Sequence, residues 1–216
     1  MGGRILFFVV RNLVVGFSKL VWRVSMDGLE HLPKTGAYVL SPVHRSNIDS
    51  LVVTALSRRR LRAMGKHTLW KRRLPGAFLT ALGGFPVERG SADREALRKC
   101  VDAVRGGEPL LVFPEGTRQS GPKLQPLFEG AAYVASRTGV PIVPVGIGGS
   151  EAAMPKGSKL IRPVKVHLEV GPPIRVEGSE SGGRAPRRAV HEATQKLADE
   201  LQRLFDIAQK KAEAGS

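Results

Sequence analysis

The sequence predicts an α/β sandwich: a mixed, largely parallel sheet flanked by helices, with an amphipathic helix at the N-terminus. Three observations predict it. Short apolar, β-prone runs alternate with helical patterns along most of the chain, the signature of strand–crossover–strand units. Three of these runs, around Tyr38–Ser41, Phe85–Arg89 and Pro109–Phe113, end in polar or charged residues at turns. Strand ends are where α/β proteins carry their chemistry. The chain, at 216 residues, is long enough for one full core, and no internal repeat suggests a solenoid.

Residues 1–24 form the first unit. Leu6, Val9, Val10, Leu13, Phe17, Leu20 and Val24 fall on one side at helical spacing. Arg4, Arg11, Asn12, Ser18, Lys19 and Arg23 fall on the other, interrupted by Phe8, Val15 and Trp22. No acid precedes Asp27, and Arg11 breaks the apolar run that a spanning helix needs. No convincing signal-peptide cleavage site follows. The expectation is a basic helix lying on an anionic membrane, with Leu6, Phe7, Val10, Leu13, Phe17 and Leu20 toward lipid. A helix packed on the domain's own core has the same moment signature.

Residues 25–176 form the second unit. A short strand around Val24–Gly28 and a loop over 33–36 lead to a buried strand at Tyr38–Ser41. A helix follows over 46–57. His44 and Asp49 lie five positions apart in the turn between them. A His held by a carboxylate can take a proton from a hydroxyl. The same stretch also fits a capping box, Ser46 as N-cap and Asp49 three positions on.

Eight Lys or Arg then fall within 58–73, flanking a strand at Leu61–Met64. A short helix covers Leu74–Leu82, with Pro75 near its start. Gly83-Gly84 opens a strand that delivers Arg89, and a helix runs from Ala92 to Arg105 with Ala96, Cys100, Ala103 and Val104 inward. The all-apolar strand Pro109–Phe113 ends in Pro114-Glu115-Gly116-Thr117-Arg118. A helix over Gly130–Thr138 precedes a strand at Val140–Ile147, whose Pro141 and Pro144 suggest a strand start or an irregular edge. Val164–Val170 alternates as a strand. Residues 177–185 are a Gly/Ser-rich linker, and residues 186–216 a last helix opened by Pro186 and packed on the domain.

Composition narrows the partners. The formal net charge of +15 calls for an anionic one: nucleic acid, anionic membrane or a phosphate-bearing substrate. No zinc spacing or aromatic platform sequence is present, so nucleic acid is disfavoured. The single Cys100 excludes an internal disulfide and fits a buried apolar position. A serine-hydrolase elbow, Gly-x-Ser-x-Gly, is missing. Two arginines beside a His–Asp pair suit an anionic substrate that carries a hydroxyl, because the guanidinium fork matches phosphate oxygens. Either arginine alone would be an ordinary surface ion pair.

These residues resemble the glycerolipid acyltransferase family, most of all its 1-acylglycerol-3-phosphate (lysophosphatidic acid) acyltransferases. His44-Arg45-Ser46-Asn47-Ile48-Asp49 is similar to the His-x4-Asp block, and Gly83–Arg89 to the Gly-rich second block ending in Arg. Phe113–Arg118 resembles the Glu-Gly-Thr-Arg block, and Val140–Val145 the Val-Pro-Ile-Val-Pro-Val block. The four stand in family order over about residues 25–175.

The resemblance implies a hydrophobic acyl tunnel beside the sheet. It implies acyl transfer from acyl-CoA or acyl carrier protein to lysophosphatidic acid, in phospholipid biosynthesis at the cytoplasmic face of the membrane. Glycerol-3-phosphate or another lysophospholipid or glycolipid is the alternative acceptor, and a non-catalytic basic binding module the alternative class. His44 becomes the general base and Asp49 its orienting partner. Arg89 and Arg118 hold the acceptor phosphate, with Glu115, Gly116 and Thr117 in the same pocket. The oxyanion is assigned to backbone N–H groups of the 44–49 turn or to ordered water. No metal or redox cofactor is implied; the acyl donor is a co-substrate.

The chain departs from the pattern at Pro86 and Glu88, and it lacks a Lys before Gly130, where the sequence reads Pro126-Leu127-Phe128-Glu129. Arg58, Arg59, Arg60, Arg62 and Lys66 are the replacement cations, expected to meet CoA phosphates or the acidic face of a carrier protein.

Overall fold

The computed structural model describes residues 2–87, 94–179 and 185–214. A seven-stranded sheet forms the middle layer. Its strands are β1 (Ser25–Asp27), β2 (Val39–Pro42), β3 (Arg62–Lys66), β4 (Gly84–Val87), β5 (Leu110–Leu111), β6 (Ile142–Gly148) and β7 (His167–Val170). They run in the order β1-β7-β6-β2-β5-β3-β4. Every pair is parallel except β6–β7. The sheet is therefore mixed and largely parallel.

The register fixes where chemistry can sit. Val39 pairs with Leu110 and Leu110 with Arg62, so β2, β5 and β3 start level. Because they run the same way, their C-terminal ends face one pole. The pairing extends past β5, where Val112 N–H donates to Leu40 O at 2.9 Å. The central strands are apolar on both faces, as expected where helices cover a parallel sheet.

Pro144 sits inside β6, a central strand rather than an edge. Val43 N–H bonds Val145 O on the β2 side, so Pro144 points the other way, toward β7. There β7 ends at Val170, and Pro144 O still accepts from Gly171 N–H at 3.0 Å. The lost donor falls where the ladder stops, which explains its tolerance.

The helices are α1 (Gly2–Trp22), α2 (Asp49–Val52), α3 (Arg73–Ala81), α4 (Arg94–Arg105), α5 (Gly130–Thr138), α6 (Ser150–Ala153) and α7 (Arg187–Glu213). The helix expected over 46–57 is shorter and tighter: α2 begins at Asp49 and passes into a 3-10 turn, Val53–Leu56. α7 lies across β6, β7 and α5 and buries Leu197, Leu201 and Leu204. It comes so close to β6 that a Cβ on Gly146 would stand 2.3 Å from Leu204 O. At Gly148 it would stand 2.1 Å from Ala208 O. Only glycine permits that approach. Of the expected linker, residues 180–184 lie outside the described residues.

α1 packs on α2, the 53–56 turn and α3 through one mixed face, while Asn12, Lys19 and Arg23 stay exposed. Phe7, Arg11, Ser18 and Trp22 are buried. Arg11 Nε donates to Ser57 O at 2.8 Å. Ile5, Leu6, Val9, Leu13, Phe17 and Leu20 face outward, Leu20 being 82% exposed. Phe7 was expected toward lipid and is instead buried. It lies one turn before Arg11 on the face that the Ser57 carbonyl and the Trp22 pocket hold against the domain. α1 is long and apolar enough to cross a membrane, the one such helix among the described residues.

Candidate active site

β2 and β5 lie side by side, and the loops leaving their C-terminal ends meet. His44 follows β2, and its Nδ1 bonds Asp49 Oδ2 at 3.0 Å. Oδ2 also accepts the backbone N–H groups of Arg45 and Ser46, each at 2.7 Å. Three donors on one buried oxygen fix the loop around a carboxylate. With Nδ1–H donated to Asp49, Nε2 is left as the proton acceptor. The His44 ring stacks on Phe113 at 3.9 Å between centroids and 21° between planes.

Both arms of the expected capping box are present, one of them long. Asp49 reaches back to Ser46 N–H, as a capping box requires. Ser46 Oγ accepts Ile48 N–H at a long 3.4 Å and itself donates to Met154 O at 2.7 Å. Asp49 therefore serves both the loop and the His.

Glu115 was expected in the phosphate pocket, and its carboxylate instead faces His44 and Arg45. Its Oε1 accepts His44 N–H at 2.8 Å and its Oε2 accepts Arg45 Nη1 at 2.6 Å. It is buried and fully engaged, a brace behind the base. Arg45 is wholly buried too, with Nη2 on Lys123 O at 3.3 Å and its guanidinium 4.9 Å from the Phe205 ring centre. The sequence reading missed Arg45 as a site residue. The signal was present: an arginine inside an apolar strand-end block has to find a carboxylate, and Glu115 ends the adjacent strand.

The amides expected to hold the oxyanion are mostly spent. His44 N–H goes to Glu115, and Arg45 and Ser46 N–H go to Asp49. Asn47, exposed at the turn, is the remaining residue of that loop that lines the cavity beside His44.

That cavity has a volume of about 330 Å³. Thr117 and Arg118 line it from the loop after β5, and Lys66 from the end of β3. Met64, Leu69, Trp70 and Leu79 supply apolar wall. Gly116, at φ +68°, turns the loop, and a Cβ there would meet the Phe128 ring at 2.7 Å. Arg118 and Lys66 have no carboxylate partner among the described residues. Arg89 lies outside the described residues.

Arg58, Arg59, Arg60 and Arg62 are not at this cavity. They precede or open β3, so the parallel sheet puts them at the opposite pole from His44. Arg59 bonds Gly36 O and, at 2.9 Å, Gly107 O, over the face of Tyr38. Arg60 and Arg62 approach Glu108 at 4.0 and 3.6 Å. They tie loops at the sheet's N-terminal edge. Of the five expected donor-binding cations, only Lys66 reaches the site.

One further group, Asp27, His167 and Glu169, brings possible metal-ligand atoms within 4.8 Å of one another at the far edge of the sheet. Lys211 Nζ already stands on Asp27 Oδ2 at 2.7 Å and Glu169 Oε2 at 2.6 Å, supplying the positive charge.

The model of the acyltransferase family matches residues 23–148, more than half the chain. The chain belongs to the acyltransferase family. Among its curated relatives is a chloroplast 1-acyl-sn-glycerol-3-phosphate acyltransferase of Brassica napus, 29% identical over 143 residues. That match covers 64% of this chain and 41% of the relative. The enzyme of that name from Bacillus subtilis is 26% identical over 152 residues, 70% of this chain and 73% of the relative. The chain thus spans less than half of the plant acyltransferase and most of the bacterial one. Its fold matches the crystal structure of the 1-acyl-sn-glycerophosphate (LPA) acyltransferase PlsC from Thermotoga maritima. The TM-score is 0.75 at 23% identity, over 92% of this chain and 79% of that one. His44, Asp49, Glu115 and Arg118 all fall within the residues that the acyltransferase family model matches.

Proposed function

We propose that this acyltransferase moves a fatty acyl group from a thioester, acyl-CoA or acyl carrier protein, to the free hydroxyl of lysophosphatidic acid, giving phosphatidic acid. The observation that carries the reading is a single cavity shared by a carboxylate-held His44 and an unpaired Arg118. A proton acceptor and an anion site lining one cavity suit an acceptor whose hydroxyl and phosphate sit on one small backbone. The relatives' names supply the acceptor class.

The reaction needs no covalent enzyme intermediate. His44 Nε2 takes the hydroxyl proton while the acceptor oxygen attacks the thioester carbonyl. Asp49 stabilises the imidazolium so formed. The C–S bond breaks, and His44 returns the proton to the departing thiolate. Arg118, together with Arg89 and Lys66, holds the acceptor phosphate and orients the hydroxyl. Asn47 is the side chain placed to steady the oxyanion.

The chain works at the cytoplasmic face of the membrane, with α1 lying on the bilayer. Its outward residues Leu6, Leu13, Phe17 and Leu20 enter the lipid, while Arg11 and Phe7 keep the helix on the domain.

Thiol release from palmitoyl-CoA tests the reading, with wild type and His44→Ala and with lysophosphatidate, glycerol-3-phosphate or no acceptor. His44-dependent release with lysophosphatidate is expected. Release that depends on His44 only with glycerol-3-phosphate would change the acceptor. Release unaffected by His44→Ala would remove the mechanism.

A further inference from the structure

We propose that the segment 67–81, a 3-10 turn at His67–Trp70 followed by α3, is a second membrane-contact element that seats beside α1 on an anionic lipid surface. The proposal rests on the membrane-surface reading above and extends it to a part of the chain far from the N-terminus.

The first observation is the way α3 is turned. Its buried residue is Gly76, packed against the Trp70 indole. Its large apolar side chains point away from the protein: Leu74 is 84% exposed and Phe78 40%. Leu69, in the preceding turn, is 50% exposed. A helix of a soluble surface is turned the other way, apolar stripe inward. Exposed apolar side chains gathered on one element mark a contact site.

The second observation is charge. Lys71, Arg72 and Arg73 stand between Leu69 and Leu74, all exposed. None has a carboxylate partner among the described residues. From residue 31 to residue 87 the one acid is Asp49, which is committed to His44 and its loop. Apolar side chains set among unpaired bases are the composition of an interfacial element on anionic lipid. A protein groove would have to supply several acids at its rim; a bilayer with anionic headgroups offers them as a continuous sheet.

The third observation is continuity. α3 packs directly on α1, whose outward face carries Ile5, Leu6, Val9, Leu13, Phe17 and Leu20, with Asn12 and Lys19 among them. The two elements together make one apolar surface with a basic border. The same segment lines the catalytic cavity from inside with Leu69, Trp70 and Leu79. Docking it on the bilayer places the cavity wall at the lipid surface, where a lipid acceptor is already dissolved.

The test uses the full chain with a fluorophore at Leu74→Cys. Cys100 is buried and its thiol is pushed up to about 12 by that burial, so an environment-sensitive maleimide dye goes to the introduced thiol. A dye at Leu160→Cys, on an exposed loop, is the reference. Vesicles of phosphatidylcholine with phosphatidylglycerol are expected to shift the Leu74→Cys dye to the blue and brighten it severalfold, leaving the reference unchanged. The variant K71Q/R72Q/R73Q is expected to partition onto these vesicles roughly 100-fold more weakly at low salt. Leu74→Ser with Phe78→Ser is expected to weaken partitioning about tenfold. It keeps wild-type thiol release with short-chain, water-soluble substrates.

If the chain binds vesicles through α1 while the Leu74→Cys dye is silent, the proposal is overturned and the membrane reading stands. If wild type does not bind anionic vesicles at all, both fall. The soluble-substrate assay then still reports on acyl transfer by itself.

Discussion

Glu115 and Arg45 form a wholly buried ion pair at 2.6 Å, directly behind the proposed base. The other Glu115 oxygen holds His44 N–H at 2.8 Å. Two blocks of sequence 70 residues apart are joined there: one carries His44, the proposed base, the other Arg118, the proposed phosphate ligand. Removing one member leaves an uncompensated charge in the interior. Glu115→Ala and Arg45→Ala are each expected to lower unfolding free energy by about 3–5 kcal/mol. The double change Arg45→Met with Glu115→Leu should restore much of that stability without restoring turnover, because nothing then fixes His44 N–H. Denaturant midpoints beside kcat for the three variants check it. Full turnover in the stable double variant would reduce the pair to a packing feature.

His44 and Asp49 should separate by what each loses. His44→Ala removes the proton acceptor but leaves the Asp49 bonds to Arg45 and Ser46 N–H intact. Turnover is expected to fall ~10²–10⁴-fold with little change in thermal midpoint. Asp49→Asn replaces a three-donor carboxylate with a neutral amide. It should cost about 1–3 kcal/mol of stability as well as most of the turnover. Thermal melts run beside the thiol-release assay distinguish the two. An Asp49→Asn protein as stable as wild type would mean that the loop does not depend on that charge.

Arg118 lines the cavity with no protein partner among the described residues, so truncating it strands no buried acid. Arg118→Ala should fold normally and raise the KM for lysophosphatidate at least ~10-fold, with a smaller change in the KM for palmitoyl-CoA. Arg118→Lys should recover only part, since an ammonium cannot offer the two-pronged donor. A larger effect on the donor KM would assign the residue to the thioester substrate instead.

The strand-and-helix alternation, the 44–49 turn and the Arg118 loop were legible in the sequence because each is local. Periodicity over a few residues is enough to place them at strand ends. The Arg45–Glu115 pair was not, since it depends on β2 and β5 being neighbours, a fact no spacing along the chain contains. That the Arg58–Arg62 cluster stands away from the cavity was hidden for a related reason. Charge density was visible, but strand direction decides which pole receives it. α1 shows a third limit. A moment says that a helix has two unlike sides, not which one meets the protein. Here Arg11, bonded to Ser57 O, and Ser18 turn inward with Phe7 and Trp22, while Asn12 and Lys19 stay out.

Cys100 offers a check on the core beneath α4. It is wholly buried, and that burial pushes its thiol up to about 12. The unfolded thiol titrates near ~8.5. An acid whose folded value is raised contributes its full stability below the unfolded value and loses it as pH rises. The loss therefore begins near pH ~8.5 and continues toward about 12. At pH ~8 the native protein should react with a thiol reagent only at the rate of opening, many orders slower than a free thiol. Between pH ~9 and ~11, wild type should lose stability more steeply than Cys100→Ala, even though the alanine variant starts lower for want of the buried sulfur. Denaturant midpoints for both proteins across that window decide the matter. Parallel curves would mean that some other group governs the alkaline limb. Rapid labelling in native buffer would mean that α4 opens far more readily than its packing implies.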